Sequence, residues 1–174
     1  SFEKDIVDRV RIEEAVSNHA SIISKRLRAQ NSLTTSLGVF VRANPFRNNQ
    51  NYYANSMLIR LEEPSNSTMS LIKQAKKVLA KIYKSNVAYK KVGVYVESLL
   101  AESYNQMDLF EGEKKLEKLS KEGSLMKVWD SINDRYGENT LQTLAMSLQK
   151  RLPVVQAFRS PNYTSSWKEL LVVG

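Results

Sequence analysis

Arg42, Arg60 and Lys91 fall at alternating positions of strand-like runs that also carry Ser36, Gly38, Ser56, Gly93 and Tyr95. Residues of these types suit phosphate. Small side chains let a phosphate backbone approach main-chain amides, hydroxyls donate to phosphate oxygens, and Arg and Lys neutralise charge. That chemistry is sequence-independent binding of nucleic acid, and the pattern does not choose DNA over RNA. The plain alternative is a solvated sheet face, since basic residues are common on exposed strands and Phe40 and Leu58 fit a wet groove poorly.

A second constellation, Gln106-Met107-Asp108-Leu109-Phe110, lies in a polar stretch where two large apolar residues have no obvious core to join. It resembles the bacterial β-clamp-binding pentapeptide, Gln-x-x-Leu-Phe. Such a peptide puts Leu and Phe into a preformed apolar groove and anchors the Gln amide, a hot-spot arrangement on a disordered tether. The alternative is that Leu109 and Phe110 pin the linker onto the domain.

Other chemistries lack their residues. With no cysteine there is no disulfide framework, thiolate metal site or cysteine nucleophile, which suits a cytosolic chain. The single histidine, His19, sits in an amphipathic helical stretch with no partner at ligand spacing. Nucleotidyl transfer needs carboxylates holding two metal ions. Glu62-Glu63 points to opposite faces at a strand end, and Asp130 with Asp134 reads as a solvated helix face. No catalysis and no cofactor are expected of this stretch. No apolar run is long enough to span a bilayer, and Ser1-Phe2-Glu3-Lys4 is not a signal peptide. A start without methionine, inside strand-like sequence, predicts a fragment of a longer protein.

The elements that must position these residues follow from periodicity. Residues 1 to 6 alternate as a short strand, and from Val10 to Gln30 the residues Ile12, Ala15, Val16, Ala20, Ile23 and Leu27 make a helical stripe. Leu33 to Arg42 and Tyr52 to Leu61 form a strand hairpin with a long polar tip. Ser65 to Ser67 offer caps for a second helix, with Met69, Ile72, Ala75, Val78, Leu79 and Ile82 on one side. A last strand runs from about Ala88 to Leu99. The prediction is an α+β fold, βαββαβ, with two helices covering one face of a four-stranded sheet. Leu37, Val39, Val41, Met57, Ile59, Leu61, Val92, Val94 and Val96 then share the covered face, and the basic and small residues the open one. One ordinary core fits 174 residues with 42% hydrophobic content. Beyond Leu100 the pattern changes to a polar stretch, a charged run from Glu111 to Glu122, a helix from Leu125 to Tyr136, and an extended end containing Pro153 and Pro161. The expected division is 1–100, a linker with the pentapeptide at 101–112, and a small helical and extended region at 113–174. Lys and Arg outnumber Asp and Glu by 26 to 18, a net charge of +8, which favours a polyanionic partner.

A free-standing RNA-recognition module has the same element order and is the rival from fold alone. Leu37-Gly38-Val39-Phe40-Val41 matches its aromatic signature only faintly, so phosphate gripping without base stacking is the better expectation.

The whole chain resembles the C-terminal part of the UmuC-type Y-family translesion DNA polymerases. The resemblance is carried by Ser1-Phe2, Pro45-Phe46 with Asn49, Tyr52-Tyr53 and Asn55, then Tyr89, Lys91 and Gly93. Further on, Ile132-Asn133 with Arg135-Tyr136-Gly137, and Ser160-Pro161, Tyr163-Thr164 and Trp167, match the family's C-terminal helix and closing motif. Ser165, Ser166 and Asn51 depart from it, in the tail and loop rather than the sheet. The resemblance implies a little finger lying along primer-template duplex DNA, a peptide for the β sliding clamp, and a C-terminal segment contacting UmuD′ and RecA. It also implies error-prone translesion synthesis during SOS mutagenesis and DNA repair, in the cytoplasm at the nucleoid, with the polymerase chemistry in an N-terminal half.

Overall fold

In the computed structural model, residues 1–46, 52–104 and 113–146 are described. Asp8 caps the first helix, α1 (Arg9–Ala29), accepting a hydrogen bond from the Val10 N–H at 3.0 Å. One side of α1 buries Ile12, Val16, Ala20 and Leu27. Ser17 and Ser24 are buried there too, and each donates its hydroxyl to the carbonyl four residues back. Two long strands follow, β1 (Ser32–Ala43) and β2 (Ala54–Ser65). Ser67 caps α2 (Thr68–Ile82), whose Leu71, Ile72, Ala75, Val78, Leu79 and Ile82 are buried. The last strand is β3 (Tyr89–Ala101).

The described strands form one antiparallel sheet in the order β2-β1-β3, with β1 in the middle. Both helices lie on one face. There Leu37, Val39 and Val41 are fully buried, Leu61 and Val92 join the same core, and Met57, Ile59, Val94 and Val96 pack against it. The predicted covered face is the observed one, because period two leaves a strand no other way to bury three aliphatic residues in five.

The predicted first strand does not form as a strand. Ile6 makes a single antiparallel bridge to Tyr89, with amide bonds of 2.9 and 2.8 Å, and Phe2 donates to the Lys90 carbonyl at 2.9 Å. Between them the chain bends, and the Lys90 ammonium takes the Glu3 carbonyl at 2.8 Å, a group a ladder would have used. Phe2 and Ile6 still reach the core, so the apolar alternation is real while the ladder is not.

Tyr53 and Tyr89, both among the resemblance residues, hold the end of α2. Tyr53 donates its hydroxyl to the Ile82 carbonyl at 2.7 Å, a helix-end acceptor otherwise unsatisfied. Tyr89, fully buried, accepts from the Lys84 amide at 2.8 Å and donates to the Lys84 carbonyl at 3.0 Å. Its ring meets Tyr53 edge-on and leans on Tyr83, and burial raises its pKa.

The third helix, α3 (Glu113–Tyr136), starts well before the predicted Leu125. From Glu113 onward the charged run is therefore helix, in keeping with its strong helix formers. Met126 and Trp129 are buried on α3. Gly137, at φ +105°, ends the helix in a conformation that favours glycine. Asn133 then ties the following turn, donating to the Leu141 carbonyl at 3.0 Å and accepting from the Leu141 amide at 2.8 Å. Met146 returns to the core beside α1, its carbonyl taking the Asn18 amide at 3.1 Å.

Candidate nucleic-acid interface

All eight residues read as a phosphate-gripping set stand on the open face of the sheet, because strand register aligns their parities. Across β2, β1 and β3 the rows are Arg60, Ser36 and Glu97; then Leu58, Gly38 and Tyr95; then Ser56, Phe40 and Gly93; then Ala54, Arg42 and Lys91. Arg42, Arg60, Lys91 and Ser56 are exposed, and Ser36 and Tyr95 are half-buried.

The charge on this face is unbalanced at one end. Arg42 and Lys91 sit directly opposite each other, a like-charge pairing that costs stability in an isolated sheet. Among the described residues neither forms an ion pair, nor does Arg60. Arg42 lies 5.5 Å from the centre of the Phe40 ring. Glu97 is the acid in the row of Arg60.

Gly38 and Gly93 are buried although they face outward, because aromatic rings cover them. A Cβ on Gly38 would sit 2.1, 2.5 and 2.6 Å from three atoms of the Tyr95 ring, and one on Gly93 would sit 2.4 and 2.5 Å from the end of the Phe40 ring. Each ring thus crosses to the neighbouring strand and fills the place of the missing side chain. Sequence reasoning had both glycines and both aromatics on this face but not their pairing, which depends on the register between strands far apart in sequence.

Beyond the sheet, Phe46 is 90% exposed at the hairpin tip, its amide turned onto the Asn44 side chain at 3.0 Å, and Tyr52 is exposed nearby. Asn49 and Asn51 lie outside the described residues, as do Gln106, Met107, Asp108, Leu109 and Phe110, and the tail from 147 with Ser160, Pro161, Tyr163, Thr164 and Trp167.

The opposite side of the molecule also carries cations, but these are used internally. Arg28 of α1 holds Asp130 of α3 through two bonds of 2.6 and 2.7 Å, and reaches the Asn66 carbonyl at 2.7 Å and the Thr68 hydroxyl at 3.1 Å. Lys25 pairs with Asp134 at 2.7 Å, which raises the lysine pKa. Ser67 donates its hydroxyl to Glu122. Asp130, its side chain 22% exposed, therefore joins α3 to α1 rather than lying on the solvated face its spacing suggests, whereas Asp134 reaches Lys25 while staying 64% exposed, as that face implies. A hollow of about 460 Å³ lies along this seam, lined in part by Ser21, Trp129, Asn133 and Leu141. On α1, Glu13 bridges Arg9 at 2.8 Å and Lys76 of α2 at 3.1 Å; burial raises its pKa, but these two cations outweigh that and bring it below the ordinary 4.5. Among the described residues no cluster of three or more His, Asp or Glu could hold a metal ion, and no helix is long and apolar enough to cross a membrane.

Fold and face together define an α+β unit with a helix-covered core and a basic open sheet. Residues 1–109 match the impB/mucB/samB family C-terminal domain, and residues 123–173 match a domain of unknown function (DUF4113). The chain belongs to the impB/mucB/samB family. It is 28% identical to Protein UmuC of Salmonella typhimurium over 99% of its own length, 26% identical to Protein MucB of Salmonella typhimurium over 98%, and 24% identical to Protein SamB of the same organism over 98%. It spans 40% of that UmuC and 39% of the MucB and SamB proteins. The resemblance to the C-terminal part of UmuC-type polymerases is borne out.

Proposed function

We propose that this chain is the duplex-gripping and clamp-tethering portion of an error-prone translesion DNA polymerase, with the nucleotidyl-transfer chemistry carried by another part of the parent protein. The observation that carries it is the open face, where Arg42 and Lys91 stand opposite each other without a carboxylate between them. A sheet tolerates that repulsion at little cost when a polyanion lies over it. Ser36, Ser56 and the three cations grip sugar-phosphate. Membership of the impB/mucB/samB family supports DNA over RNA as the polyanion and stands against a free-standing RNA-recognition module.

Gln106 to Phe110 serve as the clamp ligand, with Leu109 and Phe110 as anchors and Gln106 as the polar stop. The region from α3 onward contacts UmuD′ and RecA, a role carried by family resemblance. The setting is SOS mutagenesis and DNA repair on the chromosome.

Fluorescence anisotropy of a labelled primer-template duplex and a matched single-stranded RNA, each at two salt concentrations, tests the grip. Tighter duplex binding with steep salt dependence is expected; tighter RNA binding would return the RNA-recognition reading. For the tether, Leu109→Ala and Phe110→Ala are each expected to cost about 2 kcal/mol or more of clamp affinity while duplex affinity stays unchanged. A double variant that still captures the clamp in surface plasmon resonance would remove this role.

A further inference from the structure

Phe40 and Tyr95 occupy the middle of the open face, on adjacent strands, one row apart. We infer that the two rings form a stacking platform for unpaired bases of single-stranded DNA, the template overhang next to the gripped duplex; this rests on the gripping reading above. Tyr95 crosses β1 so closely that three of its ring atoms lie within 2.6 Å of where a Gly38 Cβ would be, and Phe40 does the same at Gly93 with two. Rings in those positions lie along the sheet rather than standing off it. Any side chain at either glycine would lift the ring, so the two glycines are what allow the platform to be low and flat. One surface of the Tyr95 ring packs on backbone, and both rings remain half-buried rather than covered.

The surroundings favour a nucleic-acid strand over another occupant. Arg42, 5.5 Å from the Phe40 ring centre, and Lys91 across from it stand one row from Phe40, and Arg60 stands one row from Tyr95, the combination of base stacking and backbone neutralisation that single strands use. A duplex keeps its bases stacked inside and offers the rings no base face, whereas an overhang does. The signature of RNA-recognition motifs is not needed, since this platform comes from one ring on each of two strands that only the register brings together.

The test compares three DNAs by anisotropy with the full chain: a blunt duplex, the same duplex with a single-stranded 5′ overhang, and that duplex with an abasic overhang of equal length. The base-bearing overhang is expected to tighten binding and the abasic one to lose the gain, although both carry the same phosphates. Phe40→Leu and Tyr95→Leu keep apolar cover over the glycines and are each expected to weaken overhang binding about tenfold; Phe40→Leu leaves blunt-duplex affinity unchanged, and Tyr95→Leu loses less on the blunt duplex than on the overhang. Tyr95→Phe is expected to retain binding, and thermal melting checks that each variant folds. Equal affinity for base-bearing and abasic overhangs, or equal losses on blunt and overhang DNA, would overturn the platform. If blunt duplex does not bind while the base-bearing overhang still exceeds the abasic one, the gripping reading falls and the platform stands.

Discussion

Cations on the two sides of this molecule differ in what they are doing. On the helical side Arg28 and Lys25 face Asp130 and Asp134, and the Arg28–Asp130 pair is largely enclosed, with side chains 11% and 22% exposed. On the sheet side Arg42 and Lys91 face each other. A net charge of +8 counts these cations alike, yet one pair is committed to holding α3 on α1 and the other is held ready for something outside. Charge that folding has already matched is costly to unpair, and charge it has left unmatched is available to a partner.

The contrast breaks most visibly at Asp130. Asp130→Ala leaves the Arg28 guanidinium enclosed without its counter-charge, and the expected loss is about 3 kcal/mol in urea unfolding, with duplex affinity unchanged because the sheet face lies on the other side. A variant as stable as the parent would show that the seam is held by Met126 and Trp129 alone. The sheet side should respond in the opposite way. Arg42→Ala, Arg60→Ala and Lys91→Ala are each expected to flatten the slope of log affinity against log salt by about 0.9 on every duplex sequence. Relief of the cross-strand repulsion means that Arg42→Ala or Lys91→Ala changes stability by no more than about 0.5 kcal/mol. Losses confined to some sequences would mean base readout instead of backbone gripping.

The smallest effect concerns Glu13, which joins α1 to α2 within the helical layer. Its pKa is lowered on folding, so its contribution is fully present above its unfolded value of 4.5 and is lost as pH falls through the folded value. Glu13→Gln should therefore shallow the acid limb of a stability-pH profile below about pH 4.5 and leave neutral pH little changed. An unaltered acid limb would mean that Arg9 and Lys76 do not hold this carboxylate in solution.

Much of the fold was legible because helices and strands bury faces at fixed periods. Ile12, Val16, Ala20 and Leu27 had to share a helix side, and Leu37, Val39 and Val41 a strand face, whatever lay around them. The same parity put all eight grip residues on the other face. The start of α3 was missed because a run of Glu and Lys carries no apolar stripe to mark where helix begins. Residues 1 to 6 alternate as a strand does, but whether alternation becomes a ladder depends on the partner edge, where the Lys90 side chain takes the Glu3 carbonyl.

Sequence by itself determined which residues are apolar, at what period, and hence which side of each element turns inward, since those follow from backbone geometry within a few residues. Only the tertiary structure decided which residues from distant elements meet. Tyr95 lies over Gly38 and Phe40 over Gly93 because strand register pairs residues more than fifty positions apart. Arg28 meets Asp130 because α3 comes back across α1. Such pairings are chosen by the energy of the whole packed assembly, and no local pattern contains them.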